Sequence, residues 1–116
     1  MRRDTFEKIF VSLDNIEQTI KELLSTIQVD MLIAARAHRD AHTCKAETWD
    51  EFKTAIENKN FVYAPWCCDE ECEDAIKKET GATTRNVPFD AESAEGCTCV
   101  HCGKKAKTRI YFAKSY

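Results

Sequence analysis

Six of the seven cysteines in this chain of 116 residues fall in two short segments, and cysteine is a residue type that binds metal ions. The six are Cys67, Cys68, Cys72, Cys97, Cys99 and Cys102. A tetrahedral zinc site usually takes four thiolate or imidazole ligands, given as two close pairs from two short turns. Cys67 and Cys72 supply one pair by their spacing. Cys99 and Cys102 supply the other, and Gly103 suits the left-handed turn that follows a last ligand of this kind.

The predicted zinc is structural, because four cysteines fill a tetrahedral site and leave no position for water. Three further residues in the two segments remain alternative ligands: Cys68, Cys97 and His101. A unit of about sixty residues buries too little apolar surface to be secure alone. Structural zinc contributes about 10–16 kcal/mol of apparent binding energy in small finger peptides, which is enough to decide whether such a unit folds.

Other kinds of cysteine chemistry fit the pattern less well. A disulfide framework expects an even count and a secretory signal, but the chain has seven cysteines and no apolar segment after Met1. A haem attachment motif requires a histidine directly after its second cysteine, and this position holds Gly103. A redox C-x-x-C pair is expected at the start of a helix, whereas Cys102 precedes two lysines and a strand pattern. A thiol redox protein is therefore the weakest of the functions considered.

Two helices are predicted before the cysteines. Apolar residues recur at helical spacing from Leu13 to Met31, and a weaker pattern continues to about His42. Such a stripe most often packs on a core, and a coiled-coil dimer is the alternative. A second helix is predicted to begin after Thr48, which forms a capping box with Glu51, and to end near residue 58.

The rest of the chain predicts an α+β fold in which a small antiparallel sheet of about three strands carries one helix and the zinc site. The strands are predicted at 61–64, 82–89 and 108–113. The helix is predicted at 69–80, with Gly81 as its C-cap. Residues 43–47 are predicted as a connector. Residues 1–12 predict a short hairpin ending in a strand, which alone has little to pair with.

The charge of the chain bears on partners and compartment. A formal net charge of −3 argues against a general nucleic-acid binder. The charge is uneven, because residues 97–116 carry five basic side chains and no acid. Zinc with four thiolates carries about −2, so these basic groups are expected to offset it, with contact to tRNA or another domain as the alternative. Reduced cysteines without a targeting or membrane segment predict a cytoplasmic protein.

A family resemblance is carried by several segments around the cysteines. They are FVYAPWC at 61–67, ECE at 71–73, IKKETGA at 76–82, VPF at 87–89, CVHCGK at 99–104 and YFAKSY at 111–116. Together they resemble the C-terminal zinc-binding domain of archaeal/eukaryotic-type prolyl-tRNA synthetases. The resemblance implies Cys67 as first ligand, because Cys68 stands where the family usually has glycine. Phe6 replaces another expected glycine, in the turn at 4–8.

The resemblance also implies a division of the chain. Residues 1–12 would be remnant strands at the end of an anticodon-binding domain, 13–58 connecting helices, and 59–116 the zinc-binding domain. The complete enzyme would join proline to tRNA(Pro) with ATP and magnesium, as a homodimer and without a membrane. Its class II catalytic domain has no counterpart in these residues, so the chain alone is expected to be inactive and to hold no catalytic residue.

Two further expectations follow from the resemblance and its alternative. The partners would be the catalytic and anticodon-binding domains of the same enzyme, and tRNA(Pro) through the complete enzyme. The terminal carboxylate of Tyr116 would lie near the active site of that enzyme. The alternative function is a free-standing zinc-ribbon module that recruits a partner through the long helix.

Overall fold

The structure is a computed structural model of the chain, and it describes residues 1–115. Its contacts divide the chain into two compact units, Met1–Asp40 and a second unit that begins at Ala41. The elements, in chain order, are a 3-10 turn at Leu13–Asn15, α1 at Ile16–Ala41, β1 at Thr43–Lys45, α2 at Trp49–Glu57, β2 at Phe61–Trp66, α3 at Glu70–Thr80, β3 at Ala82–Thr84 and β4 at Thr108–Lys114. The α+β class predicted from the sequence is confirmed.

The first unit is the long helix α1 with a preceding turn. The predicted helix is confirmed over Leu13–Asn15 and Ile16–Ala41, and none of the α1 residues is buried. Exposed apolar residues follow its length, among them Ile20, Leu24 and Met31. Although α1 is long, no helix among residues 1–115 is apolar enough over its length to cross a membrane.

The hairpin strand predicted at 1–12 is wrong, because the structure has no strand there. The segment forms a turn in which the Arg2 amide donates to the Glu7 carbonyl at 2.8 Å and the Phe6 amide to the Arg2 carbonyl at 3.1 Å. The Arg2 guanidinium also binds Asp4 and Asp30, each at 2.6 Å. The ion pairs therefore hold this segment on its own unit. A two-stranded ribbon without a neighbouring sheet is marginal, which explains the missing strands.

The second unit is built on one sheet with the strand order β1-β2-β4-β3. The pairs β2 with β4 and β3 with β4 are antiparallel, as expected for the predicted antiparallel sheet, although the sequence did not say which strands pair. The prediction of about three antiparallel strands is corrected by β1, which pairs in parallel with β2 from Thr43 opposite Phe61 to Lys45 opposite Tyr63. Residues 43–47 were expected to be a connector, since three residues are too few to give a strand pattern.

The predicted strand at 82–89 is much shorter in the structure, where β3 covers Ala82–Thr84. Two hydrogen bonds continue the pairing past its end, from the Arg85 amide to the Tyr111 carbonyl at 2.8 Å and from the Tyr111 amide to the Asn86 carbonyl at 3.1 Å. Pro88 has no amide hydrogen with which to extend this ladder. The strand pattern in the sequence is therefore longer than the strand itself.

The two short helices of the second unit pack against the sheet to form its core. Val62 and Phe112 pair across β2 and β4 and are fully buried, together with Phe52 from α2 and Ile76 from α3. The rings of Phe52 and Phe112 meet edge to face with centroids 5.1 Å apart. Helix α2 begins with the predicted capping box, which is confirmed. Burial of such large apolar side chains is the main favourable term in a unit of this size.

Candidate metal centre

Four cysteines from the two segments come together at one side of this core. The Sγ atoms of Cys67, Cys72, Cys99 and Cys102 all lie within 4.8 Å of one another. Two sulfur contacts cross between the segments, with 3.6 Å from Cys102 to Cys67 and 3.7 Å from Cys72 to Cys99. These are the four residues that the sequence pattern selected, and their sulfur atoms could hold a metal ion.

The first pair is positioned by the junction between β2 and α3. Cys67 follows the last residue of β2, and Cys72 lies in the first turn of α3. Between them Cys68 has a positive φ of 57°, which turns the chain from the strand into the helix. Asp69 then caps α3, because its side chain accepts from the Glu71 amide at 3.3 Å. Both thiols are therefore fixed by regular elements.

The second pair is positioned by a tight turn that is bound to the sheet. The Cys99 amide donates to the Lys104 carbonyl at 2.7 Å, and the Gly103 amide donates back to the Cys99 carbonyl at 3.1 Å. Gly103 has a φ of 68°, which a residue with a side chain rarely adopts. The Val100 amide donates to the Pro65 carbonyl at 3.0 Å and so fastens the turn to β2.

Burial dominates the electrostatics of two of the four thiols, Cys67 and Cys72. Burial, followed by the hydrogen bond with Cys102, raises the pKa of the Cys67 thiol to about 11. Burial also raises the pKa of Cys72. Burial acts in the same direction on Cys99, but amides of Cys102, His101 and Cys67 outweigh it and lower the pKa of that thiol. A divalent metal must displace protons from this site, so it binds more weakly at low pH.

His101 lies beside the group of four thiols. Its Nδ1 is 3.5 Å from the Sγ of Cys72, and its Nε2 is 3.2 Å from Oε1 of Glu79. The ring also meets Trp49 edge to face, with centroids 4.7 Å apart. The imidazole is therefore placed to orient a cysteine ligand through a hydrogen bond, in the manner of the outer partners of metal sites.

The remaining cysteines lie outside this cluster. Cys68 is exposed, and Cys44 belongs to β1. Cys97 contacts Arg109, whose Nη2 is 3.3 Å from its Sγ. Arg109 in turn binds Glu47, and neither residue was singled out by its sequence pattern. Arg109 lies on the face of β4 opposite the core residues Ile110 and Phe112, so the strand alternation gave no signal of this contact.

One of the basic residues near the site, Lys104, forms an ion pair between the two turns. Lys104 follows the second turn and forms an ion pair of 2.8 Å with Asp69, the cap of α3. That hydrogen bond, followed by the charge of Asp69, raises the pKa of Lys104. The lysine thus connects the two turns and places positive charge near the thiols. Tyr116, the other site residue predicted from the sequence, lies outside the described residues.

The donor set satisfies the requirements of a thiolate metal ion site. It offers four sulfur atoms from two turns, three of them on buried residues, with backbone amides directed at Cys99 and at Cys67. Soft sulfur donors in a tetrahedral set favour zinc or iron, and a set filled by four residues leaves no position for substrate. The arrangement is therefore suited to holding two turns together.

Comparisons with known proteins identify relatives over the whole chain. Residues 49–116 match the sequence model of the family described as prolyl-tRNA synthetase, C-terminal. The chain is 51% identical over 117 aligned residues to proline–tRNA ligase of Lachnospira eligens and 50% identical to that of Lachnoclostridium phytofermentans. Each match covers 100% of this chain and 24% of the relative. The chain thus spans about a quarter of the length of these curated relatives.

Solved structures give the same result. The prolyl-tRNA synthetase of Cryptosporidium parvum complexed with L-proline and AMP matches with a TM-score of 0.87 and 32% identity, over 98% of this chain and 25% of that chain. The same enzyme complexed with halofuginone and AMPPNP matches with a TM-score of 0.85 and 32% identity, over 98% of this chain and 24% of that chain.

Proposed function

The chain belongs to the prolyl-tRNA synthetase C-terminal family, and from this premise we propose that it serves as the zinc-binding C-terminal part of a proline–tRNA ligase. The observation that carries the proposal is the group of four thiols within 4.8 Å, inside the segment that matches the family. Cys67, Cys72, Cys99 and Cys102 are the proposed ligands. Bound zinc would supply a cross-link between the two turns and no chemistry toward a substrate.

The residues of the site have distinct tasks in this proposal. Cys67 and Cys72 hold the junction of β2 and α3, and Cys99 and Cys102 hold the turn that is fastened to β2. Lys104 offsets the negative charge of the thiolates. Four thiolate ligands would fill the coordination of a tetrahedral metal ion and leave no position for a substrate. We therefore assign the chain a structural role within the enzyme.

The activity that we propose for the complete enzyme is the one given by the names of its relatives. The Cryptosporidium parvum enzyme was crystallised with L-proline and AMP, and also with AMPPNP. We propose that the enzyme containing this chain likewise uses proline and ATP, with magnesium, to charge tRNA(Pro), as a cytoplasmic homodimer. Its catalytic and anticodon-binding domains are then the direct partners of this chain. The chain alone is expected to catalyse no proline-dependent exchange of pyrophosphate into ATP.

The terminal residue is the one group of this chain that we propose to act at the active site of the complete enzyme. We expect the carboxylate of Tyr116 to lie near that site. Two contacts hold the residues just before it. The Arg85 Nη2 donates to the Ala113 carbonyl at 3.1 Å and to the Ser115 hydroxyl at 2.8 Å.

The metal centre is tested by counting metal per chain in single Cys→Ser variants. We expect one zinc per wild-type chain, and loss of zinc when any of the four proposed ligands is replaced. Cys44→Ser, Cys68→Ser and Cys97→Ser are the matched controls, because each removes one thiol without touching the cluster, and they should retain the metal. The ligand assignment is wrong if Cys68→Ser and Cys97→Ser lose zinc while Cys67→Ser and Cys99→Ser keep it.

A further inference from the structure

Cys97 is a fifth thiol close to the metal centre in sequence, two residues before Cys99. It sits at the base of the second turn, where its amide donates to the Ala94 carbonyl at 3.0 Å and its carbonyl accepts from the Ala106 amide at 3.0 Å. Above it, Thr98 pairs with Lys105. Because of this spacing, Cys97 is the alternative to Cys99 as the ligand from the second segment.

The group that engages Cys97 is a buried guanidinium. Arg109 lies on β4 opposite Pro65 of β2 and is only 7% exposed. Its Nη1 donates to Oε1 of Glu47 at 2.6 Å, and its Nη2 donates both to Oε2 of Glu47 at 3.1 Å and to Sγ of Cys97 at 3.3 Å. This planar fork is fixed on both sides, as bidentate arginine contacts are.

Glu47 is itself held by the start of α2. Its amide donates to Oε2 of Glu51 at 3.0 Å, the same carboxylate that accepts from the Thr48 amide in the capping box. The chain of contacts therefore runs from the helix cap through Glu47 and Arg109 to Cys97. Arg109 already has one buried nitrogen, Nε, with no hydrogen-bond partner within residues 1–115. If Cys97 moved to the metal, Nη2 of Arg109 would lose one of its acceptors in a buried position, which is unfavourable.

We propose that Arg109, oriented by Glu47, is a positioning residue that keeps the thiol of Cys97 out of the metal centre and thereby fixes the ligand set. This inference rests on the proposed metal centre. Hydrogen bonds that involve a charged group are among the stronger ones in proteins, so their loss should make Cys97 about tenfold or more available as a ligand. Arg109 thus selects which thiols of the second segment bind.

The test uses cobalt(II) as the metal and the whole chain as the protein. The near-ultraviolet charge-transfer band between thiolate and cobalt grows with the number of bound thiolates, so it reports on the ligand set. Three proteins are compared: Cys99→Ser, Cys99→Ser with Arg109→Lys, and this double variant with Cys97→Ser added. Lysine keeps a positive charge for Glu47 but lacks the planar fork that reaches Cys97.

We expect Cys99→Ser to lose the four-thiolate band even though Cys97 lies two residues away. The double variant should regain that band and bind cobalt about tenfold or more tightly than Cys99→Ser, and adding Cys97→Ser should remove the gain. A full band in Cys99→Ser alone would overturn the proposal. So would a double variant that binds no better than Cys99→Ser.

Two controls keep the outcome interpretable. The measurement on Cys99→Ser needs no change at Arg109, so the proposal remains open to refutation even where Arg109→Lys does not fold. Titration of the unmodified chain tests the metal centre itself. An unmodified chain without a four-thiolate band would refute the centre, whereas a normal band with no gain in the double variant would refute only the role of Arg109.

Discussion

Cys68 has a left-handed backbone, with a φ of 57°, and its side chain is exposed. A residue with a Cβ pays about 1–2 kcal/mol for this conformation, and glycine does not. We therefore predict that Cys68→Gly raises the free energy of unfolding of the metal-loaded chain by about 1 kcal/mol, as measured by urea denaturation. Phe6, the other residue standing where the family resemblance leads one to expect glycine, also has a positive φ, of 60°.

The control for this prediction is Cys68→Ala, which removes the same thiol but keeps a Cβ at the same φ. It should leave the free energy of unfolding nearly unchanged, and zinc content should stay at the wild-type level in both variants. An equal gain from alanine and glycine would show that the thiol, and not the backbone conformation, is the unfavourable feature.

At the residue scale, the sequence carried most of the information on the proposed metal centre. The pairs Cys67 with Cys72 and Cys99 with Cys102 were predicted from spacing, and the structure brings these four together. The position of Cys97 could not be predicted, because it depends on Arg109, which is twelve residues away along the chain. Spacing encodes local turns, whereas such a contact depends on the register of β4 in the sheet.

At the element scale, the cap of α2 can be tested by making the same threonine-to-alanine change at two positions, Thr48 and Thr54. The Thr48 hydroxyl accepts from the Glu51 amide at 3.4 Å, while the Thr54 hydroxyl lies within the same helix and donates to the Asp50 carbonyl at 2.9 Å. We predict that Thr48→Ala lowers the free energy of unfolding by about 1 kcal/mol, because an unfilled N-cap leaves amides of the first turn without a partner.

Thr54→Ala is the control, since it deletes the same atoms from an exposed position of the same helix. Alanine has the higher helix propensity, so this variant should be neutral or slightly more stable. Urea denaturation of both variants gives the comparison. Equal losses in the two would contradict the importance of the cap and indicate a general effect of removing a threonine from α2.

Elements with strong local signals were predicted, and elements that depend on neighbours were not. Helix α1 has a long apolar periodicity, and α2 and α3 have defined caps. Strand β1 has only three residues and is defined by its parallel pairing with β2, so its own sequence contains no strand pattern. For residues 1–12 the pattern of a strand is present in the sequence, but within residues 1–115 this segment pairs with no strand.

At the scale of the whole chain, the metal and the hydrophobic core of the second unit are predicted to be interdependent. Cys67, Cys72 and Cys99 belong to the buried cluster that includes Ile76 and Phe112. Removing the metal with a chelator should therefore abolish the amide-exchange protection of β2 and β4. Helix α1 belongs to the other unit and has no buried residues, so it should remain partly helical.

The control for metal removal is zinc added back in excess, which should restore protection in β2 and β4. Cys97→Ser should behave like the wild type throughout, because its thiol faces Arg109. Unchanged protection in the sheet after complete removal of the metal would argue that the core alone sustains the second unit.

The last prediction concerns Tyr116 in the complete enzyme. Arg85 binds Ala113 and Ser115, the residues that lead to this terminus, and the proposed task of Tyr116 is to place its carboxylate near the active site. Such a group acts by position and charge, for which displacements of about 1 Å can cost up to about 100-fold in rate. We expect deletion of Tyr116, or addition of a few residues after it, to slow prolyl-adenylate formation while zinc content stays constant. Tyr116→Phe keeps the ring and the carboxylate, so it should remain near the wild-type rate. A deletion variant with wild-type rates of both adenylate formation and tRNA charging would reduce the terminus to a packing role.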